Sequence, residues 1–131
     1  MALFMLDTDS VSYALRGEGN VGAEIARRRP SELCISAITL GELRFGADRR
    51  RSRKIHAVID AFVVGVQVVP FDENAATRFG AVGAALAGSG APIGQMDTLI
   101  AAHALSIGAT LVTNNHKHFS KVHGLRLENW T

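Results

Sequence analysis

The sequence predicts an α/β protein of three layers, α/β/α, in which helices cover both faces of a central, mostly parallel sheet of four to five strands. Short, continuously apolar segments alternate along the chain with longer segments of helical composition, and such strands are typical of parallel sheets buried on both faces. The 131 residues contain no linker, internal repeat or low-complexity segment. We therefore expect a single domain spanning residues 1–131.

Strands are predicted where short apolar runs end at polar residues or glycine. They cover residues 3–7, 33–37, 66–70 and 110–113, and residues 125–128 are expected to form a last edge strand. Helices are predicted between capping residues and glycine or proline. They cover residues 9–16, 20–29, 39–47, 72–87 and 97–107, with a further helix from the second basic stretch to about Val64 and a short one near 117–122. Asp9 or Ser10 is predicted to cap the first helix.

Composition excludes two classes of protein. No apolar segment approaches the roughly 20 residues that cross a bilayer, and the N-terminus lacks the basic region, apolar core and cleavage site of a secretory signal. The single cysteine, Cys34, excludes an internal disulfide and fits a reducing compartment. We expect a cytoplasmic protein that makes no use of a membrane.

The basic residues fall into two clusters, although the net charge is only +2. Eleven of the 14 basic residues are arginine, which binds phosphate with two parallel hydrogen bonds. Such clusters can bind the nucleic-acid backbone, but a solvated helix face or a surface for an acidic protein explains them equally well. The clusters are Arg27, Arg28 and Arg29, and Arg49, Arg50, Arg51, Arg53 and Lys54.

Acidic and amide side chains occur where the predicted strands end. Asp7 ends the first strand, Glu42 lies one turn into the helix after the second, and Asp97 begins the helix before the fourth. Asn115 follows the fourth strand. Because the carboxyl ends of parallel strands share one edge of a sheet, we expect these side chains to converge. Converging carboxylates favour a hard divalent cation, and such a site suits phosphodiester hydrolysis.

Most of these acids also have a purely structural explanation. Asp9 could cap a helix, the segment from Thr39 to Glu42 matches a capping box, and Asp97 could be an N-cap or a first-turn acid. Asp7 is the exception, because a carboxylate at the inner end of a buried strand is costly unless it is paired or binds a cation.

The segment FMLDTDSV, residues 4–11, also fits the first motif of haloacid-dehalogenase-type phosphatases. In that chemistry Asp7 would accept a phosphoryl group and Asp9 would act as acid and base. A downstream lysine followed by an acidic pair is then required. The three lysines are Lys54, Lys117 and Lys121, and after Lys54 the only acid predicted at the sheet edge is Asp97, which has no acidic partner close by. The sequence therefore disfavours a phosphatase.

Four segments together give the chain a specific family resemblance. They are MLDTDSVSYALRG, ISAITLGELRFGA, IGQMDTLIAAHALSIGATLVTNN and LRLENW, and they cover essentially the whole chain. In this order and spacing they resemble the PIN-domain ribonucleases, specifically the VapC toxins of bacterial type II toxin–antitoxin modules. One departure is Gln95-Met96, where relatives commonly have proline followed by Tyr, Asn or Met.

The resemblance implies roles for single residues. Asp7, Glu42 and Asp97 match the three acids of the family and would bind the metal and act in catalysis. Asn115 stands at the fourth position, which is aspartate or asparagine in relatives, and would orient water or another ligand. Thr113 matches the motif threonine and would support the site. Asp9 would also support it, and whether Asp9 caps the helix, binds a second ion or tunes the site stays open.

The implied activity is that of a Mg²⁺-dependent endoribonuclease, with Mn²⁺ as a substitute, that cleaves structured RNA such as tRNA or rRNA and inhibits translation. A cognate VapB-type antitoxin would neutralise it, and relatives are typically homodimers. The alternative is a catalytically silent PIN-like module that binds RNA or protein. The second basic cluster is the predicted RNA contact.

The histidines and the tryptophan are expected to have structural or surface roles rather than catalytic ones. His116, His118 and His123 are expected to be surface or RNA-contacting residues, because no cysteine or clustered acid accompanies them. His103 lies in an apolar helix and is expected to be partly buried with its hydrogen bonds satisfied. Trp130 is expected to anchor the last strand.

Overall fold

Five parallel strands form the central sheet of the computed structural model, which describes residues 2–131. The order β3-β2-β1-β4-β5 places β1 in the middle, and all four pairings are parallel. The predicted parallel sheet is therefore confirmed, with the fifth strand limited to two residues. The strands are β1 (Phe4–Leu6), β2 (Leu33–Ser36), β3 (Gln67–Val69), β4 (Thr110–Val112) and β5 (Leu127–Glu128).

Seven α-helices cover the sheet within the described residues. The third helix begins two residues before the predicted start, because the Ser36 hydroxyl caps it by accepting the Ile38 N–H at 3.0 Å. None of the helices in residues 2–131 combines the length and apolarity needed to cross a bilayer. The helices are α1 (Thr8–Arg16), α2 (Val21–Ala26), α3 (Ala37–Arg49), α4 (Arg53–Gly65), α5 (Glu73–Gly88), α6 (Gln95–Ser106) and α7 (His116–Phe119).

Alternate residues of each strand face two separate hydrophobic cores. Phe4 and Leu6 point into a core with α1 to α4, whereas Met5 between them points into a core with α5 to α7. In β2, Ile35 likewise faces the core with α1 to α4, and Cys34 faces the core with α5 to α7. Since successive side chains of a strand lie on opposite faces, continuously apolar strands require helices on both sides, and the predicted three-layer architecture follows.

Register brings the ends of neighbouring strands together. Leu6 of β1 pairs with Val112 of β4, so the next residues, Asp7 and Thr113, become neighbours. The Asp7 N–H continues the ladder by donating to the Val112 carbonyl at 3.0 Å. The chain passes from β1 to strands on one side and later to β4 on the other, and such switch points are where open α/β sheets carry their sites.

The C-terminus is held against the first strand rather than only against the last. Trp130 is 5% exposed, and its ring packs on Phe4 with centroids 5.2 Å apart. The Arg28 guanidinium lies 4.1 Å from the Trp130 ring and also pairs with Glu24 at 2.6 Å. Arg28 is thus a packing residue of the fold, and the first basic cluster loses a cation that could contact phosphate.

His103 is fully buried, more deeply than the sequence indicated. Its Nδ1 lies 2.7 Å from the Ser36 hydroxyl, while Nε2 has no hydrogen-bond partner of good geometry in residues 2–131. The expectation of a partly buried histidine is therefore wrong, and of its two ring nitrogens only Nδ1 has the expected hydrogen bond. Burial lowers the pKa of His103 below its ordinary value, opposed by the Asp72 charge and the Pro70 carbonyl.

The lowered pKa predicts acid sensitivity of the fold. Below about pH 6.5 the unfolded chain binds a proton at His103 that the folded protein takes up only at lower pH, so the free energy of unfolding falls as the pH falls through this window. His103→Asn places a neutral amide near the Nδ1 position and should flatten this slope. Urea unfolding of wild type and variant between pH 7.5 and 5 measures it.

His123→Asn is the matched control, since His123 lies at the surface. It should keep the wild-type slope. An unchanged slope in His103→Asn would show that the buried histidine does not set the acid sensitivity.

Candidate active site

The predicted site residues lie at or near the carboxyl ends of β1 and its neighbouring strands. Asp7 follows β1 directly, Asn115 follows β4 by three residues, and Glu42 and Asp97 lie in the first half of α3 and the first turn of α6. The structure thus places the four side chains on segments that converge on the carboxyl edge of the sheet. Their partners differ, and each is described in turn.

Asp7 is a buried carboxylate that begins a helix. Only 4% of it is exposed, and its Oδ1 accepts the Ser10 N–H at 2.8 Å, which makes Asp7 the N-cap of α1. Burial raises the pKa of Asp7, while hydrogen bonds from the Thr113 hydroxyl and from Ser10 oppose this rise. The buried Ser10 hydroxyl also donates to the Val112 carbonyl at 3.1 Å, which fixes α1 against β4.

The prediction that Asp9 or Ser10 caps the first helix is wrong. The chain turns into α1 immediately after β1, so the cap position falls on Asp7 and Asp9 becomes an exposed first-turn acid. Its charge raises the pKa of both Asp7 and Asp97, as a lesser contribution than burial. Asp9 therefore lies close enough to repel both carboxylates, and a role in supporting the site stays a prediction.

Glu42 is held by the first turn of α1. Its Oε1 accepts the Thr8 hydroxyl at 2.5 Å, and Thr8 also lies 3.2 Å from the buried Thr39 hydroxyl. The capping-box alternative for residues 39–42 is wrong, because α3 is capped by Ser36 and Thr39 is already inside the helix. Thr8 directly follows Asp7, so this hydrogen bond ties Glu42 to the neighbour of the buried carboxylate.

Asp97 is half-buried in the first turn of α6, whose N-cap is Gly94. The first-turn alternative is thus the one observed. Its Oδ2 lies 3.1 Å from Nδ1 of His118, and the same nitrogen lies 3.1 Å from the Asn115 side-chain amide. Burial raises the pKa of Asp97, and the His118 ring acts in the opposite direction.

Thr113 is completely buried beside Asp7 and shapes the following turn. Its hydroxyl accepts the Asn115 N–H at 3.0 Å and reaches the Asp7 carboxylate. One hydroxyl therefore connects the end of β1 to the turn that carries Asn115.

The donor set fits a hard cation held by few protein ligands. Within residues 2–131 no three His, Cys, Asp or Glu side chains are grouped closely enough to hold an ion alone. Two carboxylates, Asp7 and Asp97, remain near the repelling charge of Asp9, and no lysine, arginine or histidine of the described chain pairs with Asp7. Mg²⁺ typically binds one or two carboxylates and keeps several waters, which suits this arrangement.

A groove of about 600 Å³ adjoins the site between α1, α3 and α4. Glu42 and Thr8 line it together with two members of the second basic cluster, Arg50 and Lys54. The remaining members of this cluster are exposed: Arg49 ends α3, Arg51 lies in the connection and Arg53 begins α4.

Sequence reasoning missed three polar contacts that hold the acids. Thr8 holds Glu42, Ser10 holds Asp7, and His118 contacts Asp97. The Ser10 contact follows from capping geometry, because an N-cap carboxylate accepts the backbone N–H three residues later whatever side chain stands there. The other two contacts join residues 34 and 21 positions apart, which no local pattern shows.

Comparison with known proteins shows the family and agrees with the fold. The PIN domain family model matches residues 4–125. The tRNA(fMet)-specific endonuclease VapC of Shigella flexneri is 39% identical over 132 residues, covering 100% of both chains. The DNA-bound VapBC crystal structure from Salmonella typhimurium superposes with a TM-score of 0.93 at 35% identity over 100% of both chains. That of VapBC2 from Rickettsia felis, bound to a promoter DNA fragment, has a TM-score of 0.89 at 31% identity, covering 98% of this chain and 99% of that one.

The fold and the full-length similarity therefore lead to one conclusion: this chain belongs to the PIN-domain family and, within it, to the VapC ribonucleases.

Proposed function

We propose that this protein is a toxin of a VapBC-type module, a divalent-metal-dependent endoribonuclease that cleaves structured RNA and thereby inhibits translation. The observation that carries the proposal is the buried Asp7 carboxylate, which has no cationic side chain paired with it in residues 2–131 and lies where β1 and β4 end. Hydrogen bonds from Ser10 and Thr113 compensate part of the cost of burying this charge, and a bound cation would compensate the rest. The Shigella flexneri relative, named for tRNA(fMet), supports tRNA as the first substrate to test, with rRNA as the second.

Mg²⁺, or Mn²⁺ in its place, would be held by Asp7 and Asp97, with Glu42 as the third acid of the site. When bound, the ion supplies positive charge to the scissile phosphate and lowers the pKa of a water molecule. Thr113 and Ser10 keep the Asp7 carboxylate in one orientation. Asn115, a neutral amide, is suited to orient water by hydrogen bonding rather than to bind the ion strongly.

RNA binding is assigned to the second basic cluster. Its five side chains make no ion pair within residues 2–131, and Arg50 and Lys54 border the groove that Glu42 also lines. Phosphates bound there would lie next to the acids. The five residues are Arg49, Arg50, Arg51, Arg53 and Lys54.

A VapB-type antitoxin is the proposed neutralising partner. The structures from Salmonella typhimurium and Rickettsia felis are both named as VapBC complexes, and the similarity to their chains extends over at least 98% of this one. The homodimer expected from the resemblance stays a prediction.

The Asp7→Asn variant tests the role of Asp7 in catalysis without disturbing the fold. Asparagine is as good an N-cap as aspartate and carries no charge to bury, so the free energy of unfolding should stay the same or rise. Cleavage of a tRNA substrate in Mg²⁺ should fall at least about 100-fold, because the metal ligand is lost. Thermal stabilisation by Mn²⁺ should also shrink. Gel-based cleavage assays and thermal denaturation with and without Mn²⁺ measure the three effects.

Asp72→Asn is the matched control. Asp72 caps α5 by accepting the Ala75 N–H at 3.0 Å, in the way that Asp7 caps α1, but it is exposed outside the proposed site. This variant should cleave RNA like wild type. Full activity of Asp7→Asn would refute the site assignment. Absence of RNA cleavage by the wild type would instead favour the non-catalytic alternative.

Arg51 allows the RNA contact to be tested without disturbing the turn. It is the one non-glycine residue with positive φ in the described chain, at 51°, so Arg51→Gly removes the guanidinium and relieves the backbone. Both proteins carry Asp7→Asn to prevent cleavage, and we expect the one that also carries Arg51→Gly to bind tRNA more weakly at about 50 mM salt. The loss should shrink as salt rises, because a phosphate contact is lost. Fluorescence anisotropy across a salt series measures the slope.

Arg78→Gly is the charge-matched control, since Arg78 is exposed on α5 and borders a different cavity. An equal loss of affinity in Arg51→Gly at every salt concentration would argue against a phosphate contact.

A further inference from the structure

His118 connects two residues of the site that lie on different segments. Its Nδ1 is 3.1 Å from Oδ2 of Asp97 on α6 and 3.1 Å from the side-chain amide of Asn115 after β4. The side chains of His118 and Asp97 are 31% and 35% exposed, so water screens their contact only in part. No ion pair of Asp97 to another residue occurs in the described chain.

The backbone around His118 is fixed independently of this contact. Phe119 is 1% exposed and places α7 in the core formed with α5 and α6. The N–H groups of His118 and Phe119 both donate to the Asn115 carbonyl at 3.1 Å. The ring therefore projects from an anchored turn, and its position does not depend on Asp97.

Because Asp97 and Asn115 contact the same nitrogen of His118, only certain hydrogen-bond directions are compatible with both contacts. Nδ1 carries either a hydrogen or a lone pair, so it cannot donate to Asp97 and also accept from the Asn115 amide. The asparagine side chain can turn by half a turn and present its oxygen instead. The Nδ1–H is then shared by two acceptors, the Asp97 carboxylate and the Asn115 amide oxygen. In that arrangement the ring sets the orientation of both groups.

We propose that His118 is a positioning residue of this site, holding the Asp97 carboxylate and the Asn115 amide in one mutual orientation through Nδ1. The proposal deepens the proposed function and rests on it for its consequence, because these two residues are the ones assigned there to the metal and to water. Partners that orient metal-binding side chains typically change metal affinity or activity about 10- to 100-fold when removed.

Two substitutions distinguish the contribution of the aromatic ring of His118 from that of its Nδ1 atom. His118→Phe keeps an aromatic ring beside Phe119, whose centroid lies 6.1 Å away, and loses Nδ1. His118→Asn loses the ring and keeps a hydrogen-bond donor near the Nδ1 position. Positioning through Nδ1 predicts that the asparagine variant retains function better, whereas a packing role predicts the opposite order.

The metal readout is thermal denaturation titrated with Mn²⁺. In His118→Phe the Mn²⁺ concentration that gives half the maximal shift should rise about 10-fold or more, with the metal-free Tm unchanged. His118→Asn should lie close to wild type. His116→Ala is the control, since His116 is exposed on the same helix, and it should bind Mn²⁺ like wild type.

A readout without metal keeps this proposal separate from the proposed function. The order parameter of the Asn115 side-chain amide, from ¹⁵N relaxation of the metal-free protein, should fall in His118→Phe and persist in His118→Asn. Unchanged order in His118→Phe overturns the positioning role. If wild type neither binds Mn²⁺ nor cleaves RNA, the proposed function fails, and the relaxation result still decides the role of His118.

Discussion

Burial of the Asp7 carboxylate at the end of the central strand is the constraint on which the site depends. A charge removed from water must be compensated by hydrogen bonds or by a cation. The chain supplies part of this compensation, because Ser10 and Thr113 donate to Asp7. These donors also begin α1 and join β1 to β4, so the same hydrogen bonds build the fold and leave the carboxylate aimed at the sheet edge.

Each of the other acids is held by a polar side chain from a different element. Thr8 on α1 holds Glu42 on α3, and His118 on α7 holds Asp97 on α6. Like charges brought near one another repel, and short hydrogen bonds between elements oppose that repulsion without neutralising the acids. An arrangement of this kind retains a demand for positive charge, which a bound cation can meet. The hydrogen bonds that hold the acids in place therefore also leave them with the negative charge on which the proposed chemistry depends.

The sequence predicts which residues reach the sheet edge but not what holds them there. Continuous apolar strands predict the parallel sheet, and the residues that follow a strand within a few positions must lie near its carboxyl end, which places Asp7 and Asn115. Capping was predicted poorly, because whether α1 begins at residue 8 or 10 depends on how closely the chain turns after β1. His118 was missed because its contact with Asp97 depends on the packing of α7 by Phe119, a tertiary effect absent from local sequence.

The two arginine clusters, similar in sequence, differ in the structure for a local reason. Glu24 precedes Arg27 and Arg28 by three and four residues, the spacing at which helical side chains meet, and it pairs with both. Arg28 is further engaged by the Trp130 ring. The connection between α3 and α4 has no acid that pairs with Arg49 or Arg53 in the described chain. Arginine density alone is therefore weak evidence for a nucleic-acid surface. Acids at helical spacing must first be taken into account. Here Glu24 pairs with two of the three arginines of the first cluster, whereas within residues 2–131 no member of the second cluster forms an ion pair.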